Sequence, residues 1–380
     1  MRATLSKYIL LIAVVITASG FKGGVIIPPR LNETLTNEMS AIPELAPMDA
    51  EIDGFRTSWG ISGLSFAVMR NDSLLYAKGY GWDNYGRPMT PGTTNKLASV
   101  SKLLTAIGIM ELIEEGKFTL QSPVFGPFGV LKGFDDVIRD ERHYLITVEH
   151  LLRHEAGLYY GDSDPMFKTY SIMRDLGLST APTQTQLARY LLSKDMEFDP
   201  GTWQQYSNFG YMLLGMIIEQ ATGQDYERYM QETIFEPNGC FGFCMAGDYT
   251  VRNLGGGGGW IGSAPELARI VATIDGRGPI KDILSPESLE RMALQSGPDA
   301  YPLGWIDSRD GTLTRTGTLS GASLLIKLYP DGVCWIMISN TSTSRGSLFT
   351  KDMAELFLEL RSRYDAYFPK RDLFTGRSGR

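Results

Sequence analysis

Residues 99–113 read SVSKLLTAIGIMELI, and this stretch says most about the fold and the chemistry of the chain. Its apolar residues follow helical spacing from Leu103 onward, which predicts a helix that ends near Gly116. Residues three apart lie on one face of a helix, so Lys102 is placed to reach the Ser99 hydroxyl and take its proton. A serine alcohol needs such a base to become a good nucleophile. The pair therefore predicts a reactive serine.

The Ser-x-x-Lys pattern alone is weak evidence. Ser19 and Lys22 show the same spacing in a segment that resembles a discarded leader. A serine that caps a helix, followed by a solvated lysine, explains a single match better than catalysis does. Support for a catalytic role has to come from motifs further along the chain.

Composition and charge exclude some classes of protein. The chain has 380 residues, of which 43% are hydrophobic and 21% charged, which is ordinary for a globular protein. This length fits one large domain or two closely joined ones. The net charge is −7, and nucleic-acid binding would need a basic stripe that the sequence lacks. We therefore expect no nucleic-acid partner.

The N-terminus reads as a secretory leader. Arg2 and Lys7 supply a positive start, residues 8–17 are apolar, and residues 18–20 are small. Residues 1–20 are therefore predicted to be a signal peptide of a secreted or periplasmic protein. The apolar run is short of the roughly 20 residues that cross a bilayer, so no membrane span is expected beyond the leader. Retention as an uncleaved anchor stays open.

The three cysteines carry little functional signal. Cys334 lies in an apolar strand-like run and is predicted to be buried. Cys240 and Cys244 are close enough in sequence to form a disulfide in an oxidising compartment, although such short spacing restricts the geometry, and this question stays open. No Cys/His spacing typical of zinc occurs, and neither a metal nor a cofactor is expected.

Strand patterns occur near both ends of the chain. Leu64–Arg70 and Leu74–Gly81 are apolar runs separated by a hairpin signal, and three further strand patterns fall between residues 311 and 340. We predict an α+β fold (an α/β sandwich), in which one antiparallel sheet is flanked by helices. Residues 47–117 and 255–367 form this sheet domain, and residues 118–254 are inserted as a mostly helical domain.

The sequence also allows predictions for the two terminal segments and for a run of glycines. Residues 21–46 contain three prolines, with a fourth at residue 47, and are predicted to be an irregular linker or N-terminal arm, and residues 368–380 a fraying tail. Residues 255–259 are five consecutive glycines without the Gly-Lys-Ser/Thr ending of a phosphate loop. We expect these glycines to let the backbone pass close to a site.

Tyr206-Ser207-Asn208 supplies a second candidate element, at the start of an apolar helix. The Tyr206 phenol can relay a proton, and the Asn208 amide can hold either a substrate carbonyl or Lys102. A tyrosine that merely caps its own core helix is the alternative.

Arg315-Thr316-Gly317 is the third element, at the end of a predicted strand. The arginine is expected to bind a substrate carboxylate and to lower the pKa of Lys102, and Thr316 to add a hydrogen bond. Gly317 would let a ligand approach the strand. The backbone amides of Ser99 and Thr318 are predicted to stabilise a tetrahedral oxyanion. An ordinary surface arginine is the alternative.

The three motifs occur in this order, about a hundred residues apart, and this arrangement resembles the serine β-lactamase and penicillin-binding-protein superfamily. The surroundings resemble class C β-lactamases and their esterase and peptidase relatives. The segments that carry this likeness are Leu97–Lys102, Ile146–His154, Phe198–Gly201, Tyr206–Tyr211 and Leu303–Trp305. The likeness extends from about residue 47 to residue 345.

The resemblance implies a β-lactamase/transpeptidase-like fold with the site between the two domains. It implies that an ester, amide or lactam acylates Ser99 and that water then hydrolyses the acyl-enzyme. Lys102 would be the base and Tyr206 the proton relay. Substrate binding would fall to Asn208, Arg315, Thr316 and Gly317.

Arg315 departs from the lysine or histidine usual in the family. Arginine keeps the charge and binds carboxylates, but it does not readily release a proton, so efficient β-lactamase activity is the least supported outcome. The leading hypothesis is an exported serine hydrolase for an ester or a peptide-like amide. The alternative is a penicillin-binding or sensor protein that acylates slowly without efficient turnover.

Overall fold

The computed structural model describes residues 30–159, 161, 163–297, 300–343 and 345–378. The predicted signal peptide and the first part of the predicted arm lie outside the described residues. None of the described helices is both long enough and apolar enough to span a membrane.

The described strands form one large antiparallel sheet and two small ones. They are β1 Gly63–Arg70, β2 Ser73–Gly81, β3 Asn95–Lys96, β4 Cys244–Met245, β5 Trp260–Gly262, β6 Leu313–Leu319, β7 Ala322–Leu328, β8 Val333–Ser339, β9 Arg371–Asp372 and β10 Arg377–Ser378. The large sheet has the order β2-β1-β8-β7-β6. β1 pairs directly with β8, with Leu64 opposite Ser339, so the two ends of the chain share one sheet. This confirms the predicted antiparallel sheet.

Local sequence explains the hairpin between β1 and β2. Asn71 and Asp72 form its two-residue turn, and both have positive φ, at 44° and 63°. A two-residue hairpin loop favours this left-handed conformation because its twist matches that of the strands, and Asn and Asp tolerate it.

Twelve α-helices are described, most of them short. They are α1 Leu31–Thr34, α2 Ala46–Ser58, α3 Ser101–Glu114, α4 Val148–Leu152, α5 Thr169–Leu176, α6 Gln184–Leu192, α7 Asn208–Thr222, α8 Tyr226–Tyr229, α9 Tyr249–Arg252, α10 Ala264–Val271, α11 Pro286–Ala293 and α12 Gly346–Tyr364. Helices α4 to α9 lie between residues 148 and 252, in the section that the sequence predicts to be helical.

The large sheet is covered on both faces. α2 and α12 pack on one face, whereas α10 and the turn before α3 pack on the other. α3 in turn packs against α7, which is apolar around almost its whole circumference and therefore buried. The α3–α7 contact joins the sheet domain to the helical section and places the first residues of both helices side by side.

The glycine run lies where these helices meet. A Cβ atom at Gly256 would lie 2.7 Å from the carbonyl oxygen of Tyr211 and 2.8 Å from the hydroxyl of Thr105. Real Cβ atoms do not approach so closely, so only glycine lets the backbone pass between α3 and α7. The expectation of a close backbone approach is confirmed.

The predicted arm and the tail are more ordered than the sequence suggests. Residues 31–45 form α1 and two single-turn helices, and Leu31, Leu35 and Leu45 are buried in the cores. Asn32 donates from its side chain to Glu266 at 2.7 Å. The tail packs back as well, because the Leu373 N–H donates to the carbonyl of Leu74 at 2.8 Å. Prolines and charges mark these segments as irregular, but their few apolar residues find core positions.

The three cysteines are free thiols. Cys240 and Cys334 are buried, whereas Cys244 is exposed on β4. The disulfide that the sequence leaves open is therefore absent between Cys240 and Cys244 in this structure.

Candidate active site

Ser99 lies in a tight turn that connects β3 to α3. The turn, Ala98–Val100, has 3-10 geometry, and the Leu97 N–H anchors it by donating to the carbonyl of Trp260 at 2.8 Å. Ala98 has a φ of 46°, a left-handed conformation that is rare for a residue with a side chain. Such strain persists only where the surroundings enforce it. The serine is therefore held in one place, just before the helix rather than within it.

Lys102 lies in the first turn of α3 and is fully buried. Its Nζ is 3.3 Å from Ser99 Oγ, 2.6 Å from Asn208 Oδ1 and 2.5 Å from the carbonyl oxygen of Gly257. Burial lowers the pKa of the amine, and the nearby Arg315 cation lowers it further. A lysine with a lowered pKa can exist as the neutral amine that accepts a proton from serine.

Tyr206 lies beside both Ser99 and Lys102. Lys102 Nζ is 4.7 Å from the centroid of the Tyr206 ring, and Arg315 donates to the phenol oxygen at 3.0 Å. Burial by itself would raise the pKa of Tyr206. The charges of Lys102 and Arg315, with hydrogen bonds to Lys102 and Ser99, more than offset this and lower the pKa to about 8. The phenol can therefore give and take a proton near neutral pH.

Asn208 joins the lysine to a buried carboxylate. Its Oδ1 accepts from Lys102, while its Nδ2 and its backbone N–H both donate to Asp164 Oδ2 at 2.9 Å. Asp164 Oδ1 in turn accepts from the backbone N–H of Met166 at 2.9 Å. Of the two roles that the sequence allows for the Asn208 amide, the structure shows the one in which it holds Lys102.

Strand register places a backbone donor at the edge of the sheet. Leu319 and Ala322 are opposite each other across a two-residue connection, so they form a hydrogen-bonded pair. Hydrogen-bonded and non-hydrogen-bonded pairs alternate along an antiparallel ladder. Thr318 belongs to the next pair, which is not hydrogen-bonded, so its N–H points away from β7. Thr314, in the same phase, donates its N–H outward to Asp307 at 2.8 Å. The Thr318 amide is thus directed outward from the edge strand.

Gly317 brings this strand against the serine turn. A Cβ atom at Gly317 would lie 2.8 Å from the carbonyl oxygen of Leu97 and 3.2 Å from the backbone nitrogen of Ser99. The glycine is therefore required by the close approach of the turn, whereas the sequence suggested approach of a ligand. The approach places the amides of Ser99 and Thr318 on adjoining segments, as an oxyanion site needs.

A cleft of about 380 Å³ opens above Ser99. Ser99, Tyr206, Asn208 and Thr318 all contribute to its wall, so the structure brings four of the predicted site residues to one cavity. The other described residues that line it are Tyr159, Asp164, Phe167, Gln205, Leu254, Gly257, Gly258 and Leu319.

Comparison with known proteins identifies the family. A family model described as Beta-lactamase matches residues 48–358. The chain belongs to the Beta-lactamase family. Esterase EstB of Burkholderia gladioli is 30% identical over 199 residues, which cover 51% of this chain and 50% of EstB. The chain thus spans about half the length of the curated relatives it matches.

Solved structures of this family agree in fold. The penicillin-binding protein homologue of Pyrococcus abyssi has a TM-score of 0.65 at 23% identity, covering 88% of this chain and 79% of that one. The D-amino acid amidase of Ochrobactrum anthropi SV3, complexed with D-phenylalanine, has a TM-score of 0.67 at 19% identity. The match covers 84% of this chain and 99% of the amidase. At these identities the likeness establishes the fold.

Arg315 differs from the sequence-based expectation for this Beta-lactamase family member. Its side chain is only 1% exposed, and it donates to the carbonyl oxygen of Ser99 at 2.9 and 2.6 Å and to the Tyr206 hydroxyl at 3.0 Å. A further nitrogen lies 3.4 Å from the carbonyl oxygen of Trp305. The structure therefore does not support direct binding of a substrate carboxylate, because the guanidinium is buried behind the serine turn. The expected proximity to Lys102 and its effect on that pKa are present.

Thr316 also falls outside the cleft. Successive side chains of a strand point to opposite faces, so Thr316 lies on the other face of β6 from Arg315 and Gly317. It is not among the lining residues of the cleft. The predicted hydrogen bond from its hydroxyl to substrate is not supported by this position.

Sequence reasoning missed the role of His154 in this Beta-lactamase site. The His154 ring stacks on the Tyr206 ring, with centroids 4.2 Å apart. Its Nδ1 accepts from the Ser207 N–H at 3.0 Å, which requires that nitrogen to be unprotonated. Burial and the charges of Lys102 and Arg315 hold the pKa of His154 well below its usual range. In the sequence analysis His154 appears only as the last residue of the segment Ile146–His154 that carries the family resemblance.

Asp164 was missed for a different reason. The residue precedes Pro165 in a segment without periodic pattern, and its side chain caps a single helical turn. The one available signal was that Asp before Pro often begins such a turn. Its contact with Asn208 spans 44 residues of chain and depends on tertiary packing.

Proposed function

We propose that the protein is an exported serine hydrolase that cleaves an ester or a peptide-like amide through an acyl-enzyme on Ser99. The supporting observation is that Ser99 Oγ faces the cleft 3.3 Å from the buried Lys102 amine. The similarity to esterase EstB supports an ester as substrate.

Acylation begins when Ser99 Oγ attacks the carbonyl carbon of the substrate and its proton passes to neutral Lys102. The amides of Ser99 and Thr318 hold the negative charge on the tetrahedral oxygen. Tyr206 then donates its proton to the leaving group and recovers one from Lys102. At the end of this step the lysine is neutral again, and the acyl group is joined to Ser99.

Deacylation uses the same groups in the opposite sense. A water molecule attacks the acyl carbon and gives a proton to Tyr206, while the phenol proton moves to Lys102. Collapse of the intermediate breaks the bond to Ser99 Oγ, which takes its proton back from Lys102. The lowered pKa values of Lys102 and Tyr206 support this shuttle, because general acids and bases work best near the operating pH.

The first test is covalent labelling with a fluorophosphonate probe, with the modified peptide identified by mass spectrometry. We expect the label on Ser99, and Ser99→Ala should lose both the label and hydrolysis, by about 10³-fold or more in kcat. Ser362→Ala, which changes an exposed serine on α12, is the matched control and should keep both. Labelling that survives Ser99→Ala would contradict the proposal.

Turnover separates the proposal from the slowly acylating alternative. A hydrolase releases product steadily after the enzyme is acylated. A burst of one equivalent followed by no steady release would favour a sensor or penicillin-binding role instead.

Export rests on residues 1–20 of the sequence and is tested separately. Full-length chain produced in a secreting host should appear outside the cytoplasm, with a mature N-terminus just after Gly20. Recovery of the intact chain from the cytoplasmic fraction alone would remove this part of the proposal.

A further inference from the structure

The cleft above Ser99 has no cationic side chain in its wall. Among the lining residues that the structure describes there is no lysine, arginine or histidine, and Asp164 is the one carboxylate. A substrate carboxylate placed beside the scissile bond would therefore face the Asp164 carboxylate and find no cation in the described wall with which to form an ion pair. Burial of an unpaired charge is strongly unfavourable.

The two nearest cations are already committed to the protein. The Lys102 amine already lies within hydrogen-bond distance of Ser99, Asn208 and Gly257. The Arg315 guanidinium is occupied by carbonyl oxygens and by Tyr206, behind the serine turn. Bidentate recognition of a carboxylate requires two parallel N–H groups that are free to donate. Neither side chain presents such a pair to the cleft.

Much of the remaining wall is apolar or aromatic, although Gln205, Asn208 and Thr318 add uncharged polar groups, and the space is small. Tyr159, Phe167, Leu254 and Leu319 contribute the apolar part of the wall. The volume of about 380 Å³ lies near the lower end of the roughly 300–1,000 Å³ usual for ligand pockets. Such a wall suits a short acyl chain without polar branches.

We propose that the preferred substrates are small and uncharged around the scissile carbonyl, and that a carboxylate placed there is rejected by charge. This inference rests on the proposed function and specifies its substrate class. It follows from the position of Arg315, which in this chain stabilises the serine turn and the proton relay instead of facing the substrate.

Three ethyl esters, which all release ethanol as the leaving group, test the inference. Ethyl butyrate is neutral, monoethyl succinate has the same acyl length with a carboxylate, and diethyl succinate restores neutrality while adding size. We expect kcat/KM for ethyl butyrate and diethyl succinate to exceed that for monoethyl succinate by at least about tenfold, as expected for a like charge held close to Asp164. Diethyl succinate should accordingly be hydrolysed once, with monoethyl succinate accumulating.

A charge introduced into the wall should reverse the effect. Gln205→Lys adds a cation to the cleft lining and is expected to raise kcat/KM for monoethyl succinate by about tenfold relative to ethyl butyrate. Trp203→Lys is the matched control, because Trp203 is 68% exposed and is not among the lining residues. Thermal unfolding of each variant, followed by circular dichroism, reports that the protein is folded, and the ratio of kcat/KM for the two esters carries the test.

The outcomes separate this inference from the proposed function. Equal or faster hydrolysis of monoethyl succinate by the unaltered protein overturns the inference while Ser99 chemistry stands. Diethyl succinate as slow as monoethyl succinate shows that size decides, and it also overturns the charge argument. If Ser99 is labelled but none of the neutral esters is hydrolysed, the substrate class is wrong. If Ser99 is not labelled, the proposed function itself fails.

Discussion

Both faces of the large sheet bury apolar side chains, and one of them also buries two cations beside the cleft. On the face covered by α2 and α12, Trp335 packs against Phe66 and Phe357 with ring centroids 5.4 and 5.7 Å apart, in an apolar core. On the other face, Lys102 and Arg315 are both buried, at 0% and 1% exposure.

The two faces show where burial serves stability and where it serves chemistry. Aromatic burial stabilises the fold by removing apolar surface from water. Burying two cations opposes folding unless each finds partners, and here those partners are the groups of the proposed reaction. We therefore expect substitutions on the two faces to affect different measurements.

The largest effect is expected for Lys102→Met. The variant keeps a chain of similar length in the buried position but removes the amine that accepts the serine proton. We expect kcat/KM to fall by about 10³-fold, within the range of general-base losses. The free energy of unfolding should fall by only about 1–3 kcal/mol, because Met needs no partner itself but leaves the Asn208 and Gly257 oxygens without their donor.

Lys351→Met is the matched control for this prediction. Lys351 is exposed on α12, where it forms an ion pair with Glu355 at 3.5 Å. It should leave both activity and stability nearly unchanged. A Lys102→Met protein that is strongly destabilised but keeps its kcat/KM per folded molecule would contradict the prediction. It would show that burial of Lys102 serves stability and not chemistry.

Trp335→Ala tests the aromatic face. Removal of the fully buried indole should lower the free energy of unfolding by about 3–5 kcal/mol, measured by urea denaturation. The kcat/KM of the protein that remains folded should stay close to that of the unaltered chain.

Trp335→Phe sharpens the same test. The indole nitrogen of Trp335 is buried and has no hydrogen-bond partner in the described part of the chain. Replacement by phenylalanine keeps a ring and removes this unpaired donor, so we expect a change below about 1.5 kcal/mol. A loss as large as that of Trp335→Ala would show that ring size alone sets the stability of this face.

The smallest effect is expected in the pH dependence of kcat/KM. The pKa of Tyr206 is lowered to about 8, so kcat/KM should rise with pH and level off above that value as the pair with Lys102 loses its proton. Arg315 lowers the pKa of both groups, so removing its charge in Arg315→Met should move the rise to higher pH. Activity profiles from pH 6 to pH 10 measure this shift.

Arg315→Lys keeps the charge and serves as the control. Its profile should stay near that of the unaltered protein, even if the loss of the contacts to the Ser99 carbonyl lowers the rate. A flat profile in the unaltered protein, or the same shift in both variants, would contradict the electrostatic role of the buried arginine.

Most of the secondary structure could be predicted from local pattern. α7 begins at Asn208 and ends at Thr222, as the apolar spacing indicates, and the Asn71-Asp72 turn is where the hairpin signal falls. These features depend on residues close in sequence, so local propensity decides them. The arm and the tail were mistaken because a few apolar residues there pack against distant parts of the core.

The sequence alone indicated four of the chemical groups that the site contains. Ser99, Lys102, Tyr206 and Asn208 were predicted from motif spacing, and the structure brings all four together. Ser99 lies in the turn before α3 and Lys102 in the first turn of the helix, and this short connection keeps the hydroxyl and the amine 3.3 Å apart.

Only the tertiary structure decided what each group faces. Arg315 points beneath the serine turn, Thr316 lies on the opposite face, and His154 stacks on Tyr206, none of which a one-dimensional pattern can show. The physical reason is that burial, and with it the pKa of Lys102 and the charge of the cleft, arises from contacts between segments more than a hundred residues apart.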